Sequence, residues 1–120
     1  MIKAAIMGYG TVGSGVYEVI KKNQVSINKK VGQELKVQYV LDLREFPGDP
    51  VMDVLTHDFE DILNDDEVKI VAEVMGGLHP AYEFTRRCLE AGKSVCTSNK
   101  ELVAEHGAEL IQIAKDHQVN

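Results

Sequence analysis

The hydrophobic positions of this chain fall into short continuous runs, separated by segments in which the apolar residues recur with a helical period. A continuous apolar run of about four to eight residues is typical of a strand that is buried on both faces. Four such runs predict strands at residues 2–7, 35–41, 68–75 and 94–97. A shorter edge strand is predicted over residues 51–56.

Helical patterns fill most of the segments between these runs. The first predicted helix has one apolar stripe, formed by Val12, Val16, Val19 and Ile20. Further helices are predicted at residues 58–63, 80–92 and 102–114, the last interrupted near Gly107, and a polar loop at residues 23–34. Because helical crossovers join the strands, we predict an α/β fold: a Rossmann-like doubly wound parallel sheet in three αβα layers.

A glycine-rich stretch lies between the first strand and the first helix, with Gly8, Gly10 and Gly13 in the spacing G-x-G-x-x-G. The first glycine allows a tight turn, the second lets a pyrophosphate lie against bare backbone, and the third lets helix and strand pack closely. The unpaired N–H groups and the dipole of the helix N-terminus favour phosphate there. We therefore predict a dinucleotide site in which Thr11 and Val12 join the glycines as backbone contacts; an ordinary glycine turn is the alternative.

Asp42 and Arg44 lie at the predicted carboxyl end of the second strand. An acidic residue at this place can bind the adenosine ribose hydroxyls, as in NAD, while a nearby arginine can hold the 2′-phosphate of NADP. The two residues together leave the choice between NAD and NADP open. A strand-end turn without cofactor contact is the alternative interpretation.

The composition of the 120 residues, 44% hydrophobic and 27% charged, is that of a globular protein, and we predict one domain over residues 1–120. The net charge of -6 argues against a nucleic-acid partner. No apolar stretch is long enough to cross a membrane, and a strand from residue 2 leaves no room for a secretion signal, so we predict a cytoplasmic protein.

The positions of the cysteines and histidines do not indicate a metal site, and we predict none. Cys88 falls on a helical stripe and Cys96 in an apolar strand, so both are predicted to be small buried hydrophobic residues. The four histidines lie apart, without the spacing of metal ligands.

Two later segments carry a more specific pattern. Gly76 and Gly77 close the most apolar strand, and the run Thr97, Ser98, Asn99 and Lys100 follows a short strand and leads into a helix that contains His106-Gly107. With the glycine loop, this order resembles the homoserine dehydrogenase family, in which alanine stands where this chain has Ser98. The resemblance covers nearly the whole chain and is weakest over residues 23–66.

The resemblance implies an enzyme that interconverts L-aspartate 4-semialdehyde and L-homoserine with NAD(P), in the route to threonine and methionine. It implies that Lys100 stabilises the oxyanion and handles the proton, that Thr97, Ser98 and Asn99 hold the nicotinamide ribose, and that Gly76 and Gly77 let the cofactor pass. Asn99 also suits a helix N-cap.

Members of the family carry their substrate pocket, a second catalytic lysine and most of their subunit contact after the nucleotide domain. The chain therefore reads as a truncated part of an enzyme that is a homo-oligomer at full length, and the 120 residues alone are expected to bind cofactor without turnover. Two alternatives stay open: another amino-acid dehydrogenase such as aspartate dehydrogenase, and a non-enzymatic module that binds or senses NAD.

Overall fold

A computed structural model of the chain describes residues 2–23, 26, 29–30, 32 and 35–120. Its strands are β1 (Ile2–Met7), β2 (Leu35–Leu41), β3 (Leu55–Thr56), β4 (Val68–Glu73) and β5 (Ser94–Thr97). Helices lie at α1 (Thr11–Lys22), α2 (Phe59–Leu63), α3 (Ala81–Glu90) and α4 (Lys100–Asp116), and a 3₁₀ turn lies at Pro50–Asp53.

The five strands form one sheet in the order β3-β2-β1-β4-β5, and every neighbouring pair is parallel. This confirms the predicted doubly wound α/β fold. Met7 lies opposite both Leu41 and Glu73, and Glu73 lies opposite Thr97, so the carboxyl ends of four strands meet along one edge. The strand order reverses between β1 and β4, which opens the ligand crevice of such sheets at that edge.

Side chains that alternate along the strands build a separate core on each face of the sheet. Ile6 and Val40 pack with Tyr17 of α1 on one face. Ala5, Met7 and Leu41 point the other way and pack with α2 and α3 residues such as Phe59 and Cys88. A third core lies between α3 and α4 and includes Ala81, Leu89, Leu102, Leu110 and Ala114. The predicted three layers are therefore present.

The buried side of α1 differs from the predicted stripe. Val12 and Val19 are 52% and 58% exposed, whereas the buried residues of α1 are Gly13 and Tyr17. The close approach of Gly13 to the loop after β1 sets the rotation of the helix, so the contact face runs through positions 13, 16, 17 and 20. The prediction is therefore confirmed for Val16 and Ile20 and wrong for Val12 and Val19.

Three element boundaries also differ. β4 ends at Glu73 rather than at residue 75, because the Met75 N–H donates to the Glu73 carboxylate instead of continuing a strand ladder. α4 runs without interruption through Gly107, since a single glycine inside a long packed helix only lowers its stability. The predicted edge strand is mostly the 3₁₀ turn at Pro50–Asp53, with only β3 in the sheet.

The two cysteines have opposite environments. Cys88 is fully buried, as predicted, and burial raises the pKa of its thiol to about 12, which suppresses the reactive thiolate at neutral pH. Cys96 is exposed, against the prediction, because β5 is an edge strand. No group of three or more His, Cys, Asp or Glu within the described residues is placed to hold a metal ion.

Two further predictions can be compared with the structure only where residues are described. The loop predicted at residues 23–34 lies largely outside them. Among the residues that are described, no helix is both long enough and apolar enough to cross a bilayer.

Candidate functional site

The glycine loop ends β1 and begins α1 at the crevice. Gly8 is buried, and its N–H donates to the Leu41 carbonyl at 2.7 Å. Gly10 is the N-cap residue of α1 and offers no side chain to the N–H groups of the first turn, where Thr11 and Val12 are exposed. A Cβ built on Gly10 would meet no atom within 4 Å. The helix N-terminus therefore faces open space of the kind that a pyrophosphate requires.

Gly13 has the opposite surroundings. A Cβ built there would lie 2.1 Å from the Gly8 carbonyl oxygen and 3.3 Å from a methyl carbon of Val74. Gly13 is therefore a packing residue, at which any side chain would collide with the loop after β1.

A cleft of about 440 Å³ opens in front of the loop, between the carboxyl ends of β1, β2 and β4. Its polar lining comes from the glycine loop and the end of β2: Gly8, Tyr9, Gly10, Asp42 and Arg44. Its apolar wall consists of Leu41, Leu43, Phe59, Val74, Met75, Pro80 and Phe84, and His57 lies beside it. A mostly apolar cleft with a few converging polar groups is the usual form of a cofactor site.

The Asp42 carboxylate accepts four hydrogen bonds. Oδ1 accepts from the Arg44 backbone N–H at 2.9 Å and from Arg44 Nε at 3.1 Å. Oδ2 accepts from Arg44 Nη2 at 2.9 Å and from the Tyr9 N–H at 3.0 Å. A carboxylate has about four acceptor sites, so the capacity of Asp42 is used up. Asp42 thus forms the predicted strand-end turn with Arg44 and also lines the cleft, while its contact with a cofactor stays a prediction.

This arrangement lowers the pKa of Asp42 from 3.8 to about 2, chiefly through the side-chain hydrogen bonds of Arg44 and despite partial burial, which acts in the opposite direction. We expect Arg44→Met to raise this pKa towards 3.8, with the two backbone N–H donors keeping it somewhat below. NMR titration of the Asp42 carboxyl carbon measures both values.

The shift also sets a pH dependence of stability. Because the folded-state pKa of Asp42 is lowered, its contribution is complete above about pH 4 and is lost as the pH falls through about 2. The stability difference between the parent and Arg44→Met should therefore shrink on acidification. An Asp42 carboxyl that titrates near 3.8 in the parent would contradict the hydrogen bonding described here.

Arg44 keeps hydrogen-bonding capacity for a ligand. Two of its five guanidinium N–H groups point at Asp42, and within the described residues the structure shows no further hydrogen-bond acceptor for the others. The guanidinium lies 5.2 Å from the centre of the Phe46 ring, and the side chain is 62% exposed. A planar cation held from one side at the mouth of the cleft is suited to an anionic oxygen group.

The other predicted residues form a second group, at the carboxyl ends of β4 and β5. Asn99 caps α4 by accepting from the Leu102 N–H at 3.0 Å, and its side-chain amide donates to the Gly77 carbonyl. Lys100 is exposed as the first residue of α4. The structure thus brings together the predicted residues Gly76, Gly77, Thr97, Ser98, Asn99 and Lys100, outside the lining of the cleft. Met75 links this group to the cleft wall.

The sequence interpretation missed one buried polar residue and most of the apolar wall. Glu73 is fully buried, and its carboxylate bonds the Met75 N–H and the Thr97 hydroxyl. An acidic residue near the end of the most apolar predicted strand was the pattern that could have revealed it. Phe59 and Phe84 stack at 4.1 Å across the cleft wall, a contact between distant segments that no local pattern predicts.

The family model described as "Homoserine dehydrogenase, NAD binding domain" matches residues 8–120. The chain belongs to this family. The homoserine dehydrogenase of Lactococcus lactis is 37% identical over 98% of this chain and 29% of its own length. The chain thus spans about 30% of the length of the relatives that it matches.

Solved homoserine dehydrogenases share the same fold. A crystal structure of the S. aureus enzyme superposes with a TM-score of 0.89 and 35% identity, over 98% of this chain and 30% of that one. A hyperthermophilic archaeal homoserine dehydrogenase mutant in complex with NADPH matches with a TM-score of 0.76 over 98% of this chain and 42% of that one. Its 24% identity makes it a likeness of fold.

Proposed function

We propose that residues 1–120 form one domain that binds the dinucleotide across the glycine loop, with the pyrophosphate at the N-terminus of α1. The open space over Gly10, in front of a helix terminus without a side-chain cap, is the observation that carries this proposal. In this arrangement Gly8, Gly10, Thr11, Val12 and Gly13 form the phosphate turn.

We further propose that the site prefers NADP to NAD. The Asp42 carboxylate already accepts four hydrogen bonds, so it has no acceptor site left for a ribose hydroxyl. Arg44 still has N–H donors for a 2′-phosphate.

Lys100 is proposed as the catalytic residue of the whole enzyme. The bound nicotinamide supplies or accepts the hydride, and the carbonyl oxygen gains negative charge when hydride reaches its carbon. An ammonium at residue 100 stabilises that charge and orients the substrate. A cation in the first turn of α4 opposes the helix dipole, so the position is unfavourable for a purely structural lysine. Thr97, Ser98 and Asn99 are proposed to hold the nicotinamide ribose, and Gly76 and Gly77 to let the cofactor pass.

The whole protein is proposed to interconvert L-aspartate 4-semialdehyde and L-homoserine. The relatives reported above are homoserine dehydrogenases, which supports that activity over an aspartate dehydrogenase or a non-enzymatic NAD module. Because the chain corresponds to about 30% of their length, we expect the 120 residues alone to bind cofactor without turnover. A homo-oligomeric full-length enzyme, a cytoplasmic location and the absence of a nucleic-acid partner stay predictions from the sequence.

Calorimetric titration of the 120-residue chain tests this proposal. We expect NADP to bind more tightly than NAD, and Arg44→Met to weaken NADP binding by about tenfold or more, because charge-assisted hydrogen bonds to the 2′-phosphate are lost. NAD binding should be maintained, since Asp42 is released to accept from the ribose. Arg86→Met is the matched control, because Arg86 pairs with Glu90 and Glu109 away from the cleft.

Two results would contradict this assignment. A folded parent chain that binds neither nucleotide would reject the cofactor site in these 120 residues. An Arg44→Met variant that loses NAD and NADP binding equally would show that Arg44 does not discriminate between them.

A further inference from the structure

We propose that Glu73 is a positioning residue that holds together the two loops at the nicotinamide end of the site. This inference rests on the proposed function, because it needs residues 75–77 and 97–100 to frame the nicotinamide. Glu73 is the last residue of β4 and is fully buried. It lies opposite Thr97 of β5 in the parallel ladder, so its side chain stands between the two loops.

The hydrogen bonds around Glu73 have fixed directions. The Met75 N–H donates to Oε2 at 2.8 Å, which ties the loop after β4. The Asn99 N–H donates to the Thr97 hydroxyl oxygen at 2.9 Å, so the Thr97 hydroxyl must turn its own proton elsewhere. That proton goes to Glu73 Oε1, at a distance of 2.6 Å. Both oxygens of Glu73 therefore act as acceptors, one for each loop.

Asn99 closes this network on its far side. Its side-chain amide donates to the Gly77 carbonyl, and its side-chain oxygen accepts from the Leu102 N–H at 3.0 Å. Gly76 and Gly77 have φ of +79° and +73°, a conformation that glycine adopts without strain. The double-glycine loop and the start of α4, where Lys100 sits, are thus connected from two sides.

The chemical identity of Glu73 supports a positioning role over simple packing. A buried carboxylate destabilises a fold unless its hydrogen bonds are satisfied, and an apolar side chain of similar size would fill the same space more favourably. No salt-bridge partner for Glu73 occurs in the described part of the chain. What Glu73 provides that an apolar residue cannot is two acceptors aimed at two different loops.

The test distinguishes binding of the nicotinamide end of the cofactor from binding of the rest of the molecule. We would measure binding of NADPH and of its nicotinamide-free fragment, 2′-phospho-ADP-ribose, to the 120-residue chain and to Glu73→Gln. In a glutamine an NH₂ donor replaces one of the two charged acceptor oxygens, so the hydrogen bond of one loop is lost or reversed in direction. We expect NADPH binding to weaken by about tenfold, with a smaller rise in nicotinamide fluorescence on binding, while the affinity for the fragment stays within about twofold.

A second pair of variants tests the same hydrogen bond without changing the buried residue, where a substitution could prevent folding. Thr97 is exposed, so Thr97→Val should fold and is expected to show the same selective loss. Thr97→Ser keeps the hydroxyl that donates to Glu73, so its NADPH affinity should lie closer to that of the parent than the affinity of Thr97→Val does. The double variant Glu73→Gln/Thr97→Val should bind NADPH only slightly more weakly than either single variant, because both substitutions alter the same Glu73–Thr97 hydrogen bond.

The remaining outcomes overturn the inference in distinguishable ways. Equal weakening of both ligands would show that Glu73 only supports the fold. Unchanged NADPH binding in folded Glu73→Gln and Thr97→Val would show that the network positions nothing. A parent chain that binds neither ligand would reject the proposed function itself, and this inference with it.

Discussion

Replacing Gly10 by valine should abolish dinucleotide binding while leaving the fold intact. A Cβ at residue 10 meets no atom within 4 Å, and Gly10 already has an extended backbone with φ of -85°, which valine also adopts. The valine side chain would instead occupy the space in which we place the pyrophosphate. Losing about two charge-assisted hydrogen bonds to the helix N-terminus corresponds to roughly 3 kcal/mol, or about a hundredfold in affinity.

The matched control for this variant is Gly15→Val, which places the same side chain on the next turn of α1. A Cβ at Gly15 also meets no atom within 4 Å, so both variants add a side chain to open space. Titration with NADP and with ADP-ribose should show loss of binding in Gly10→Val alone, and circular dichroism should show both variants folded. Near-parental binding in Gly10→Val would mean that the pyrophosphate does not lie against this loop.

The strands and the helices that connect them could be predicted, because each is a local pattern in the sequence. Continuous apolar runs such as those around Ile6 and Val71 are typical of strands buried on both faces, and the helical segments between them require parallel neighbours. The side of α1 that faces the sheet could not be predicted from valines alone. It depends on the close contact between Gly13 and Gly8, a packing constraint that hydrophobicity does not record.

The candidate site also has features that the sequence predicts and features that it does not. Gly10, Asp42 and Arg44 could be placed from the sequence, because the fold requires a phosphate loop after the first strand and a polar residue after the second. That the Asp42 carboxylate accepts four hydrogen bonds could not be predicted, because these bonds depend on the position of the Tyr9 backbone and on the Arg44 rotamer.

The role of Glu73 could not be inferred either, because its partners at residues 75 and 97 belong to two segments that only the β4–β5 pairing brings together.

Gly13→Ala should destabilise the fold strongly, although alanine is normally the better residue inside a helix. The new Cβ would lie 2.1 Å from the Gly8 carbonyl oxygen and 2.9 Å from the Gly8 carbonyl carbon, and these backbone atoms cannot rotate away as a side chain could. Either α1 moves away from β1 or the phosphate loop is displaced. Overpacking of this kind costs about 3 kcal/mol.

Gly15→Ala provides the comparison, because its Cβ enters open space in the same helix and should stabilise the fold by about 0.5–1 kcal/mol. Urea unfolding of the two variants and the parent measures both changes. If Gly13→Ala were as stable as Gly15→Ala, α1 would not pack on the β1 loop at the distance described here. Opposite signs for the two alanines would show that Gly13 is required for close packing of α1 on the loop after β1. Gly10, three residues earlier in the same motif, has open space instead, and its proposed role is to leave that space for the ligand.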